Sequence, residues 1–194
     1  RFERLATTVR VLRALGSPAA ATLPGVTLDD PFVSLRGATN EPPPLTPGGP
    51  PIFLGGQGPR GLRLAAEQGD GWFVPSLPFV DPATFAERRG IILAAMEAAG
   101  RDPAGFQFVA QVGAGGDAAT RAEARAQAIA FARAGATHIS VAVPARLGPP
   151  ALVEAAPAGP RVAQHGGHEN VLAAPRWFDV EAGEGEQAGG GGAD

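Results

Sequence analysis

The residues that could most readily do chemistry are three glycines, Gly55, Gly56 and Gly58, within the run PIFLGGQGPRGL at 51–62. The apolar residues before them predict a short buried strand, and Pro59 after them suits the first turn of a helix. Glycines at such a turn can adopt positive φ angles and let the backbone approach a ligand. The helix would then present its first N–H groups to an anion.

A simpler interpretation of the same run is a tight connection between a strand and a helix. The order Gly-Gly-x-Gly lacks the full dinucleotide-binding fingerprint, and the chain contains no Lys, which excludes a Walker-type phosphate loop. The local pattern therefore leaves both interpretations open, a connection and a ligand-binding turn.

Other polar residues carry weaker signals. Ser76 follows a second apolar strand and should lie at the same edge of the sheet as the glycines, although a plain loop hydroxyl is an equally simple interpretation. Trp72 is predicted to pack in the core. His138 has no charged neighbour to tune it and is predicted to be a structural residue at the start of a strand. His165 and His168 lack a third ligand, so we expect no metal site.

Composition excludes several classes of function. The chain has 194 residues and a formal net charge of -3, so no basic surface indicates nucleic acid or an anionic membrane as a partner. It has no cysteine, and no apolar run approaches the roughly 18 residues of a membrane helix. No signal peptide is visible, and we expect a cytoplasmic location. Because the sequence begins at Arg1 in what looks like mid-helix, we expect it to be part of a longer protein.

Hydrophobic periodicity predicts an α/β domain over 1–156 and an irregular, flexible tail rich in Gly, Ala and Pro over 157–194. A helix over 1–15 precedes a turn-rich stretch that contains a small hairpin near 32–37. Four strand–helix pairs follow. The strands are predicted at 51–54, 69–76, 106–112 and 138–143, and the helices at 59–68, 82–99, 117–134 and 149–156.

This alternation predicts a parallel sheet with right-handed crossovers, either half of an eight-stranded barrel or an open doubly wound sheet. The carboxyl ends of parallel strands form one edge, where barrel sites lie. The sequence places four segments at that edge: Gly55–Gly58, Pro75–Ser76, Gly113–Gly116 and Pro144–Arg146.

Several runs, taken in order, resemble the bacterial luciferase-like superfamily of flavin- and F420-dependent oxidoreductases and monooxygenases. The matching runs are RFERL at 1–5, FVSLRG at 32–37, PPP at 42–44, PIFLGGQGPRGL at 51–62, GDGW at 69–72 and AGRDP at 99–103. The resemblance implies a TIM barrel, (β/α)8, of which this chain is the second half, and FMN or coenzyme F420 as the cofactor.

The resemblance also implies roles for individual residues. The backbone at Gly55, Gly56, Gln57 and Gly58 would cradle the cofactor, and the hydroxyl of Ser76 would contact its phosphate. The family's catalytic residues lie mostly in the first four strands, so none is assigned here. The substrate would be a small organic molecule, and the full-length protein could form a homo-oligomer.

The residues do not choose between FMN and F420, or between an oxygenase and a dehydrogenase. Two alternatives also stay open at this point: a non-catalytic half-barrel, and an unrelated α/β module that binds phosphate. Topology separates the last of these from a barrel, because an open sheet reverses its strand order internally.

Overall fold

The computed structural model describes residues 1–46, 48–75, 80–144 and 170–173, with the backbone alone for Pro75 and 170–173. Helix α1 (Phe2–Gly16) is followed by a short 3-10 helix and by the antiparallel hairpin of β1 (Val26–Asp30) and β2 (Val33–Ala38). The remaining elements are β3 (Phe53–Leu54), α2 (Pro59–Gln68), β4 (Gly71–Pro75), α3 (Pro82–Ala98), β5 (Gln107–Gly113), α4 (Ala118–Arg133), β6 (His138–Ala142) and β7 (Asn170–Ala173). The helix expected over 149–156 lies outside the described residues.

Strands β3, β4, β5 and β6 form one parallel sheet in which each strand pairs with the next along the chain. Helices α2, α3 and α4 connect consecutive strands. The predicted α/β alternation with a parallel sheet is therefore confirmed, and the order of these four strands contains no reversal.

The first strand is shorter than predicted, with two residues in place of four. Pro51 has no N–H to donate, and the N–H of Ile52 donates to a carboxylate oxygen of Asp70 at 2.7 Å. Asp70 also forms an ion pair with Arg13 of α1. One carboxylate thus joins α1 to the start of β3, at the amino edge of the sheet.

One face of the sheet is covered by helices. Trp72 of β4 is fully buried against Phe85 of α3, with ring centroids 5.2 Å apart, and Phe85 contacts Phe131 of α4 edge-on at 5.5 Å. The buried strand residues that join this core are Leu54, Trp72, Val74, Phe108, Ala110, Val112 and Ile139. Because side chains alternate along a strand, the residues between them lie on the opposite face of the sheet.

The expectation of an irregular segment over 157–194 is wrong for four residues. Strand β7 (Asn170–Ala173) pairs antiparallel with β6, at the edge that β6 would otherwise leave open. A run of four residues is too short for a period to be read from sequence, whereas an unpaired strand edge readily accepts another strand. The rest of 157–194 lies outside the described residues.

Among the described helices, none has an apolar run of the length that a lipid bilayer requires of a membrane-spanning helix.

Candidate functional site

The glycine turn lies directly after β3, at the carboxyl edge of the parallel sheet. Gly55 and Gly58 are exposed, while Gly56 and Gln57 are half-buried. Gly58 is the N-cap of α2, Pro59 occupies the first turn, and no side-chain cap is present at the start of the helix among the described residues. The first turn of α2 therefore keeps main-chain N–H groups that no described side chain satisfies, as the sequence predicted.

The reason for the glycines differs from the expected one. None of Gly55, Gly56 and Gly58 has a positive φ among the described residues, so left-handed backbone is not what selects them. A Cβ on Gly56 would lie 2.6 Å from the Cα of Gly61 in α2, which means that Gly56 permits close contact with the helix. A Cβ on Gly58 would meet nothing within 4 Å. Gly58 alone of the three borders open space.

Two side chains from elsewhere in the fold fix the turn. The indole Nε1–H of Trp72 donates to the carbonyl oxygen of Gly56 at 2.9 Å. Arg88 of α3 donates from Nη1 to the side-chain oxygen of Gln57, also at 2.9 Å. The second contact brings a guanidinium group to the turn.

Sequence reasoning missed Arg88, although a signal was present. Arg88 follows Phe85 by three residues and precedes Ile92 by four, so it lies on the inward face of α3, and it is half-buried. An arginine on the apolar face of a helix is unusual enough to mark a candidate functional position.

The two other helices that follow strands of the sheet have capped N-termini. The carboxylate of Asp81 accepts the N–H of Thr84 at 2.7 Å, and that of Asp117 accepts the N–H of Thr120 at 2.9 Å. These hydrogen bonds lower the pKa of both carboxyl groups, with a smaller contribution at Asp81 from the charge of Arg88. Because each cap is a carboxylate, α3 and α4 would repel an anion that α2 can accept.

The remaining predicted positions cannot be placed. Ser76, Ala145 and Arg146 lie outside the described residues, as do His165 and His168. Within the described ranges, no group of three or more His, Cys, Asp or Glu side chains could hold a metal ion. His138 is a half-buried residue at the start of β6, where burial lowers its pKa and Nδ1 lies 3.0 Å from the hydroxyl of Thr137.

The family model described as luciferase-like monooxygenase matches residues 1–185. A curated relative, the phthiodiolone/phenolphthiodiolone dimycocerosates ketoreductase of Mycobacterium sp. (strain JLS), is 35% identical over 103 residues, which are 53% of this chain and 25% of the relative. The chain therefore spans about a quarter of that protein's length.

Solved structures with similar folds include two oxidoreductases. An F420-dependent secondary alcohol dehydrogenase in complex with an F420-acetone adduct is 21% identical, with a TM-score of 0.49 over 59% of this chain and 32% of that one. EDTA monooxygenase from Chelativorans sp. BNC1 is 20% identical, with a TM-score of 0.46 over 65% of this chain and 34% of that one. The chain spans about a third of each.

Proposed function

The chain belongs to the luciferase-like monooxygenase family, and from that premise we propose that it forms the cofactor-binding second half of a (β/α)8 oxidoreductase. The proposed parent protein uses FMN or coenzyme F420 and acts on a small organic molecule. The unreversed order of β3 to β6 supports half of a barrel over an open doubly wound sheet, which would reverse its strand order. In the parent barrel the first strand would pair with the edge of β6 that β7 takes in this chain.

The observation that carries the proposal is the free N-terminus of α2 with Arg88 beside it. FMN and F420 share an anionic phosphate group, and a helix N-terminus with unpaired N–H groups attracts such a group. The hydrogen bond from Arg88 to Gln57 adds a positive charge at the same turn. The open space at Gly58 leaves room for a phosphate to approach the main chain.

In this proposal the described residues bind and orient the cofactor, and the cofactor supplies the redox chemistry when bound. Gly55, Gly56, Gln57 and Gly58 form the cradle, Arg88 contributes charge, and Ser76 contributes a hydroxyl. Catalytic groups would come from the first half of the barrel. The 194-residue chain alone should therefore bind FMN and F420 more weakly than about micromolar, which fluorescence titration measures.

The test is to cap α2 with and without a charge. Gly58 has φ -87° and open space around its Cβ position, so Gly58→Asp and Gly58→Asn both fit and both provide an N-cap. In the parent protein, Gly58→Asp should lower the affinity for FMN at least about tenfold, because its carboxylate repels phosphate. Gly58→Asn is the matched neutral control and should retain more of that affinity.

Riboflavin, which lacks the phosphate, provides the second comparison, and the phosphate-free deazaflavin does the same for F420. Gly58→Asp should change the binding of these two compounds less than threefold. If Gly58→Asp binds FMN or F420 as tightly as the unsubstituted protein, the α2 terminus does not hold the phosphate.

A further inference from the structure

Ser140 in β6 is a buried hydroxyl with no partner. Its side chain is fully buried, and within the described part of the chain its Oγ makes no hydrogen bond. A buried hydroxyl without a hydrogen bond destabilises the folded state, so we expect Ser140 to have a hydrogen-bond partner outside the described residues.

The sheet register shows where Ser140 lies. It is opposite Gln111 of β5, and Gln111 is in turn opposite Pro75 of β4. The neighbours of Gln111 along its own strand, Ala110 and Val112, belong to the core beneath the helices. Gln111 and Ser140 therefore lie on the opposite face of the sheet, two residues before the carboxyl ends of their strands and near the level of the glycine turn.

The hydroxyl of Thr137, in the same region, is an example of a hydroxyl whose hydrogen bonds are made within the protein. Oγ1 of Thr137 accepts the N–H of Phe108 at 2.8 Å and donates to the carbonyl oxygen of Phe108 at 3.2 Å. Thr137 thus satisfies both of its roles within the protein. Ser140, three residues later, has no partner among the described residues for either role.

We propose that Ser140 is a binding residue whose hydroxyl contacts a ring carbonyl of the flavin or deazaflavin. This proposal rests on the proposed function. The pyrimidine edge of both rings carries two carbonyl groups on either side of an N–H group, and in the oxidised cofactor it is uncharged. A hydroxyl, which both donates and accepts, can pair with either kind of group on such an edge, whereas a phosphate is better held by the N–H groups at the start of α2.

The experiment compares Ser140→Ala with Thr137→Ala in the parent protein, by fluorescence titration of riboflavin and FMN, or of the phosphate-free deazaflavin and F420. Ser140→Ala should weaken binding of the phosphate-free and phosphorylated forms alike, by about five- to tenfold, the size of one lost hydrogen bond. It should leave the unfolding midpoint of the ligand-free protein unchanged or raised, since it removes an unpaired polar group.

Thr137→Ala should instead lower the unfolding midpoint, and its affinities for the same ligands should stay within twofold of those of the unsubstituted protein. If Ser140→Ala changes the affinity for the phosphate-free ring by less than twofold, the proposal is wrong, whatever happens to stability. That failure differs from failure of the phosphate site, because Gly58→Asp acts on the phosphorylated ligands alone. A defect of Ser140→Ala toward the organic substrate with unchanged cofactor affinity would also overturn the assignment to the ring.

Discussion

The indole N–H of Trp72 donates to the carbonyl oxygen of Gly56 at 2.9 Å, so the largest aromatic side chain of the core holds the glycine turn directly. Trp72 is fully buried and its ring also contacts Phe85 of α3. The conformation of the turn is therefore linked to the packing of the helix layer, and it does not depend on the turn's own residues alone.

We expect Trp72→Phe to lower the free energy of unfolding by about 1–3 kcal/mol, because the aromatic contact is largely kept while the carbonyl of Gly56 loses its donor. Urea denaturation of the 194-residue chain measures the change. A loss below about 0.5 kcal/mol would mean that the hydrogen bond does little to hold the turn.

Gly61→Ala tests the close contact between the turn and α2. A Cβ on Gly61 would lie 2.7 Å from the Cα of Gly56. The nearest atoms are all backbone atoms of Gly56, which cannot rotate away as a side chain could. We expect a loss of about 1–3 kcal/mol in the free energy of unfolding. The matched control is Gly90→Ala in α3, where nothing lies within 4 Å. That change should stabilise the protein by about 0.5–1 kcal/mol. Equal changes in the free energy of unfolding at the two positions would contradict the close contact between Gly56 and Gly61.

Removing the carboxylate of Asp70 should lower the free energy of unfolding more than removing its ion-pair partner does. Asp70→Ala removes the acceptor for the N–H of Ile52 as well as the partner of Arg13, and we expect a loss of about 2 kcal/mol in the free energy of unfolding. Arg13→Ala removes the partly exposed pair and a long hydrogen bond to the carbonyl oxygen of Gln68, and should cost about 1 kcal/mol or less. Arg36→Ala breaks an exposed pair with Asp29 and serves as the control, with a change near zero. Denaturant unfolding would refute this order if Arg36→Ala cost as much as Asp70→Ala.

The cap at Asp81 should make stability depend on pH in acid. The N–H of Thr84 lowers the pKa of Asp81 below its ordinary value of 3.8, so the ionised carboxylate stabilises the folded state above that pH. This contribution is lost as the pH falls through the lowered pKa. Unfolding midpoints measured from pH 7 to pH 3 should show the gap between the unsubstituted protein and Asp81→Ala narrowing below about pH 4.

Asp81→Asn separates the charge from the cap, because asparagine caps a helix without titrating in this range. Its midpoint should exceed that of Asp81→Ala by a constant amount across the pH series. If the difference in unfolding midpoint between Asp81→Asn and Asp81→Ala disappeared in acid, a group other than Asp81 would be responsible for the pH dependence.

The alternation of strands and helices could be predicted from sequence because each signal is local. The helices predicted at 59–68, 82–99 and 117–134 agree within one residue at each end with α2, α3 and α4. The uncapped start of α2 after Gly58 was equally readable, since caps and helical periods depend on residues within four positions of each other.

Only the tertiary structure assigned the contacts between distant residues. Arg88 reaches Gln57 across 31 positions, and Gly56 owes its missing side chain to Gly61, not to a positive φ. Likewise, Ser140 lies within the strand predicted over 138–143, and its lack of a partner among the described residues became visible only with the neighbouring strands in place. Sequence periodicity specifies which face of an element is buried, but the partners that a side chain meets depend on how the elements pack against one another.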